Sequence, residues 1–323
     1  MSSGPPRSRA MRTLAVPSIA AILPAAARTS WTILQGGARS RNVQDGPLGA
    51  EQIARMAHDY VHGYSEREQI RLFDQASTLT ALLHDDTRYP GGSLVLEAGC
   101  GIGAQTVILA RNSPQARFAS IDVSAESLAH AEARVRRAGI DNVVFHEADI
   151  FDLPFPRQSF DHVFVCFVLE HLDDPGRALS SLGSCLKPGG TLTVIEGDHG
   201  SACFHPDGVN ARRAIACLVE LQSRTGGDAL IGRRLYPLLC QGGFSKVLVS
   251  PRMVYADASR PELVRGFTRD TFIAMVEGVR APALALGLME TGDWDKGIEE
   301  LRRTTADDGV FCYTFFKAVG TAV

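Results

Sequence analysis

Residues 95–103 read VLEAGCGIG. A short apolar run ends at Ala98, and Gly99, Gly101 and Gly103 follow within five positions. Glycine lets a backbone turn tightly and lets a ligand approach, because no Cβ stands in the way. Read alone, Gly99-x-Gly101-x-x-Ala104 satisfies a loose dinucleotide pattern, and an ordinary tight turn satisfies it equally well. Its neighbours carry more. Residues 93–98 predict a strand and 104–112 a helix, so the loop joins a strand end to a helix start.

Outward from this unit the alternation continues. Strands are predicted over 116–121, 142–147, 161–167 and 191–196, with helices over 125–138 and 175–185 between them. Continuous apolar strands between amphipathic helices predict an α/β fold, a mostly parallel sheet covered on both faces. Farther on, helices are expected over 207–223 and 230–241, a strand over 244–250, helical material over 261–290 and 295–303, and a last strand over 310–318. The stretches 199–228 and 251–304 interrupt the sheet and suit a cap or pocket wall. Before the sheet, 49–60 and 65–84 read as helices, with Ser65 and Glu68 spaced as a capping box. Residues 1–46 are rich in Arg, Ala, Ser and Pro and read as an unfolded leader or extension. One domain over 47–323 is expected: a helical cap at 47–90, a ligand-binding core at 91–198, and the rest of the sheet with cap insertions at 199–323.

The strand ends collect acids. Glu97 enters the glycine loop, Asp122 follows the second strand, and Asp149 with Ile150 follows the third. Asp122 is placed to accept hydrogen bonds from ribose hydroxyls, and Asp149 from an adenine amino group against which Ile150 packs. This much negative charge repels a pyrophosphate and suits a ligand carrying ammonium and sulfonium groups. S-adenosylmethionine has ribose, adenine, both cations and no phosphate.

Composition narrows the rest. The 323 residues are 45% hydrophobic and 21% charged, which excludes disorder over the whole length. The formal charge is −3. Six Arg and one acid fall within residues 1–46, leaving 27 basic and 35 acidic residues, net −8, in 47–323. Such a body is a poor binder of nucleic-acid phosphates. Seven scattered Cys without a CxxC read as separate reduced thiols, which places the chain in the cytoplasm, or in an organellar matrix if 1–46 is a targeting segment. The nine His show no metal-ligand spacing, and no metal is expected. No stretch is long and apolar enough for a membrane span.

With VLEAGCGIG at 95–103, SIDVS at 120–124, EADIFDLPFP at 147–156, FDHVFVCFVLEHLDDP at 160–175 and LKPGGTLTVIE at 186–196, the chain resembles the class I S-adenosylmethionine-dependent methyltransferases, especially their small-molecule branch. The resemblance is strong over about 90–200. It implies a Rossmann-like seven-stranded sheet of order 3-2-1-4-5-7-6 with strand seven antiparallel. It also implies methyl transfer from S-adenosylmethionine to a small-molecule acceptor, with release of S-adenosylhomocysteine, by a monomer or homodimer. Carried onto this chain, Gly99, Cys100, Gly101 and Gly103 line the cofactor with their backbone, Asp122 holds ribose, and Val123, Asp149 and Ile150 hold adenine. Phe167 lies beside the methionine part, Tyr64 at the cofactor entrance, and Glu97 near the ammonium. Direct displacement at a sulfonium carbon needs no side-chain nucleophile, and a base only where the acceptor loses a proton. His171, Glu196 and His199 are the candidates for that role. NAD-dependent oxidoreduction, methylation of protein or RNA, and cofactor binding without turnover are the competing readings.

Overall fold

The structure is a computed structural model in which residues 78–323 are described. The expectations placed on 1–46, the helix 49–60, the capping box at Ser65 and Glu68, and Tyr64 lie outside the described residues. Of the second expected helix, residues 78–84 are helical.

Seven strands form one sheet: β1 (Leu94–Ala98), β2 (Arg117–Asp122), β3 (Val143–Glu147), β4 (Phe160–Cys166), β5 (Leu186–His205), β6 (Ser245–Ala256) and β7 (Val310–Thr321). Their order is β3-β2-β1-β4-β5-β7-β6. The first five run parallel to one another, and β7 runs antiparallel to both β5 and β6. Fold class and strand order are those the resemblance implied.

Side chains alternate across the strands, so each strand feeds two cores. Val95, Phe118 and Phe164 enter one; Leu94, Leu96, Ala119, Ile121, Val163 and Val165 enter the other. All nine are buried, which explains why the central strands read as continuous apolar runs rather than as alternating ones. The helices α1 (Ala104–Asn112), α2 (Ala125–Arg137) and α3 (Pro175–Cys185) connect the parallel strands. Local chemistry sets their starts. Ser124 caps α2, its hydroxyl accepting from Ser127 N at 3.1 Å, and Arg134, Arg136 and Arg137 occupy the last turn, where the helix dipole favours cations. Asp174 caps α3 through Arg177 N at 2.9 Å, with Pro175 in the first turn.

The C-terminal half adds α4 (Val209–Arg224), α5 (Leu235–Gln241) and α6 (Thr291–Arg303). The expected helical stretch at 261–290 is a broken run. Pro261–Leu263 leads into a ten-residue π-helix, Val264–Ile273, and short helices Ala274–Gly278 and Arg280–Ala285 follow. The larger departure is β5. It was expected to end at 196 and continues to His205, with a register shift between Asp198 and Cys203. Gly197, Asp198 and Gly200 read in sequence as pocket material or a polar turn beyond the strand end. Pairing with β7 and a two-pronged Arg233–Asp198 ion pair, both contacts at 2.7 Å, hold the backbone extended instead. Among the described residues no helix is long and apolar enough to cross a membrane.

Candidate functional site

Parallel strands put the ends of β1, β2, β3, β4 and β5 on one edge of the sheet, where open α/β sheets bind ligands. The glycine loop follows β1. Gly99 N and Cys100 N both donate to Ile121 O at 2.9 Å, which ties the loop to β2. Gly101 has φ +50°, the left-handed region, and a Cβ built there meets nothing within 4 Å. The loop is therefore open on that side, a cradle that a side chain would fill. At Gly103 a Cβ would stand 2.9 Å from the Ala131 backbone, so that glycine lets α2 close against the loop. Cys100 is buried, and burial raises its thiol pKa far above the ordinary value; it contributes backbone and packing, not a nucleophile.

Asp122 joins β2 to this loop. Its Oδ2 accepts from Gly101 N at 2.8 Å and its Oδ1 from Ser124 N at 3.0 Å. Each carboxylate oxygen keeps a second lone pair for a further donor. Val123 beside it is 64% exposed. Beyond β3, Asp149 is exposed and orders its own turn through Phe151 N at 2.8 Å, while Ile150 is buried. Glu97 lies deeper. Its carboxyl is buried, and Ser120 Oγ donates to Oε2 at 2.6 Å. Burial pushes its pKa up to about 7 despite the hydrogen bond from Ser120, and the Asp122 charge adds to the rise.

Phe167 follows β4 with φ +58°, which is rare for a bulky side chain and marks a backbone held by its surroundings. Phe167 N donates to Ile195 O at 2.9 Å, and its ring packs on Phe315 with centroids 5.4 Å apart. The next two N–H groups, Val168 and Leu169, donate to Glu196 Oε1 at 3.1 and 2.8 Å. Glu196 is fully buried, and burial together with the nearby Glu170 charge holds its pKa well above the usual carboxylate range. A fully buried carboxyl clamped on two backbone donors fixes the loop after β4. His171 stands at the rim in a short 3₁₀ turn, Leu169–His171, with Nε2 3.7 Å from Glu170 Oε1.

His199 lies on the extended part of β5. It is buried, and its Nδ1 is 2.7 Å from the hydroxyl of Tyr313 on β7. A Cβ on Gly197 would fall 2.4 Å from that hydroxyl, so the glycine makes room for the phenol. Tyr313 packs with Phe315 at 4.8 Å, Phe267 at 5.4 Å and Phe272 at 5.5 Å between centroids. A contiguous cluster of rings thus runs from Phe167 through Phe315 to the His199–Tyr313 pair. Sequence reasoning singled out His199 and a pocket wall within 251–304, to which Phe267 and Phe272 belong, and missed Tyr313 and Phe315; Tyr313 comes from 114 positions farther on and is brought in only by the β5–β7 register.

A family model described as "Methyltransferase domain" matches residues 96–194, the span of β1 to β5 that carries this edge. A 37.1 kDa protein encoded in a transposon of Streptomyces fradiae is 31% identical over 254 residues, covering 74% of this chain and 72% of its own length. The chain belongs to the class I S-adenosylmethionine-dependent methyltransferases. Among curated members of known activity, this methyltransferase is similar to the 27-O-demethylrifamycin SV methyltransferase of Amycolatopsis mediterranei, at 31% identity over 41% of this chain and 49% of that protein. Against several curated relatives the chain spans from 36% to 63% of their length. A phosphoethanolamine N-methyltransferase 2 of Haemonchus contortus, solved with phosphomonomethylethanolamine and S-adenosylhomocysteine, shares the fold: TM-score 0.50, 18% identity, covering 81% of this chain and 60% of that one. S-adenosylmethionine is the methyl donor that defines the family. The open cradle at Gly101, with the Asp122 carboxylate across it and the exposed Asp149 beyond β3, suits an adenosine ligand that bears cations.

Proposed function

We propose that this methyltransferase moves the methyl group of S-adenosylmethionine to a small, largely apolar acceptor whose attacking heteroatom carries a removable proton. Bound S-adenosylmethionine supplies an electrophilic methyl group on a sulfonium, which departs as a neutral thioether. The chain's own residues do the rest. Asp122 receives the ribose hydroxyls, Asp149 the adenine amino group, and Val123 with Ile150 packs the ring. The glycine-loop backbone at Gly99, Cys100, Gly101 and Gly103 and the ring of Phe167 border the methionine part, with Tyr64 assigned to the entrance. Glu97 acts from behind the loop, accepting from the Ser120 hydroxyl near the ammonium.

The observation that carries the acceptor side is the His199–Tyr313 pair at the end of a wall of phenyl rings. Rings bind an apolar body and exclude water, and a single polar pair gives it direction. Tyr313 fixes the His199 ring, and His199 takes the acceptor's proton as the new bond forms. His171, half-exposed beside Glu170, orients the rim. The name of the rifamycin relative, an enzyme acting on a small molecule, supports a small acceptor.

The test uses S-adenosylmethionine labelled in its methyl group, a panel of hydroxylated and amino-bearing aromatic compounds, and mass spectrometry. Label should pass to a small molecule. His199→Ala should lower kcat about 10²- to 10⁴-fold, the range for a lost general base, while leaving S-adenosylmethionine affinity unchanged. Tyr313→Phe should displace the pH profile of kcat with a smaller loss. Label on protein or RNA instead, or a pH profile unmoved in both variants, overturns the reading.

A further inference from the structure

Two of the seven cysteines that look isolated in sequence are brought face to face by the sheet. Cys203 on β5 lies directly opposite Cys312 on β7 in the antiparallel register. Directly opposed residues in such a ladder have Cα atoms about 4.5–5.5 Å apart, within the roughly 4.4–6.8 Å over which disulfides close. The side chains share a face. Phe204 and Phe311, the next register pair, point the other way into the core and stack with planes 5° apart and centroids at 6.2 Å. The two thiols are outside that core: Cys203 is exposed and Cys312 half-buried, and both are free. They also interact. Burial, the neighbouring Cys203 charge and a hydrogen bond with Cys203 push the Cys312 thiol up to about 11.

The geometry points to Cys203 and Cys312 as a reversible disulfide site, oxidised by low-molecular-weight disulfides. Exposure makes Cys203 the entry thiol. Its thiolate attacks one sulfur of the incoming disulfide, forming a mixed disulfide and releasing one small thiolate. Cys312, deprotonated as it reacts, then attacks the Cys203 sulfur and expels the second small thiolate. Two protein thiols are oxidised, one small disulfide is reduced to two thiols, and the protons given up by the protein are taken by the products. The high Cys312 pKa slows closure at neutral pH and speeds it as pH rises, because only the thiolate attacks. Closure would tie β5 to β7 one residue from Tyr313, beside the His199–Tyr313 pair. The site stands on strand register and exposure, independently of the methyl-transfer reading.

The test equilibrates the full chain with mixtures of oxidised and reduced glutathione, traps remaining thiols by alkylation, and maps the digested peptides by mass spectrometry. The expected result is a linked pair of peptides carrying Cys203 and Cys312, with two fewer alkylated cysteines than in the reduced chain, reversed by a dithiol reductant. Cys312→Ser should stop at a glutathione adduct on Cys203. A wild-type chain that keeps the adduct on Cys203 without the link, that links Cys203 to another cysteine, or that leaves both thiols alkylatable at every ratio overturns the proposal, and this wild-type arm decides whether or not the variant folds.

Discussion

Glu97 sits in the site as a carboxyl whose proton the fold retains close to neutral pH. Its pKa rises from an ordinary 4.5 to about 7, chiefly through burial. The folded state therefore binds this proton more tightly than the unfolded chain does. Its contribution to stability is full below pH about 4.5, shrinks as pH rises, and is gone above about 7, a swing of about 3 kcal/mol. Glu97→Gln keeps the shape and cannot ionise. In urea unfolding, wild type should lose stability relative to Glu97→Gln between about pH 4.5 and about pH 7.5; parallel curves would show that the carboxyl does not titrate there. The sequence places an acid at this position and shows nothing of its buried setting, because the Ser120 hydroxyl that holds it arrives from a neighbouring strand.

At the scale of elements, the turn after β4 depends on Glu196, which satisfies two backbone N–H groups from the far side of the β4–β5 pair. Glu196→Ala strands both donors in the core and should cost about 2–4 kcal/mol in unfolding free energy. Glu196→Gln keeps the accepting oxygen and mimics a protonated carboxyl, so near pH 7 it should cost less than about 1 kcal/mol. Equal losses from Ala and Gln would mean that the carboxylate is ionised and that its charge does the holding. Most core elements were legible because their apolar runs and caps act locally: β1 to β4 and α1 to α3 begin and end within a residue of where periodicity and capping put them. What was not legible is set by distant partners. The run of β5 past Glu196 needs β7 and Arg233, and the π-helix Val264–Ile273, in which Thr271 Oγ1 reaches back to Gly266 O at 2.7 Å, has no local signature that separates it from an α-helix.

Over the whole molecule, the proposed function divides along the sheet. The cofactor half, β1 to β4, is written as contiguous motifs, since strand-end loops meet one ligand in chain order. The proposed acceptor half is assembled from β5, β7 and the helical run 261–285, so Tyr313 and Phe315 carry no motif and became visible only in three dimensions. In the proposed cofactor half, Glu97, Asp122 and Asp149 gather around a phosphate-free, cationic adenosine ligand. Isothermal titration of the full chain with S-adenosylmethionine, S-adenosylhomocysteine and NAD tests it most directly. Both sulfur compounds should bind at one site, NAD should give no heat, and Asp122→Ala should weaken S-adenosylmethionine at least about ten-fold while far-ultraviolet circular dichroism stays unchanged. Tight NAD binding, no measurable affinity for either sulfur compound, or an Asp122→Ala variant that binds like wild type would contradict the account.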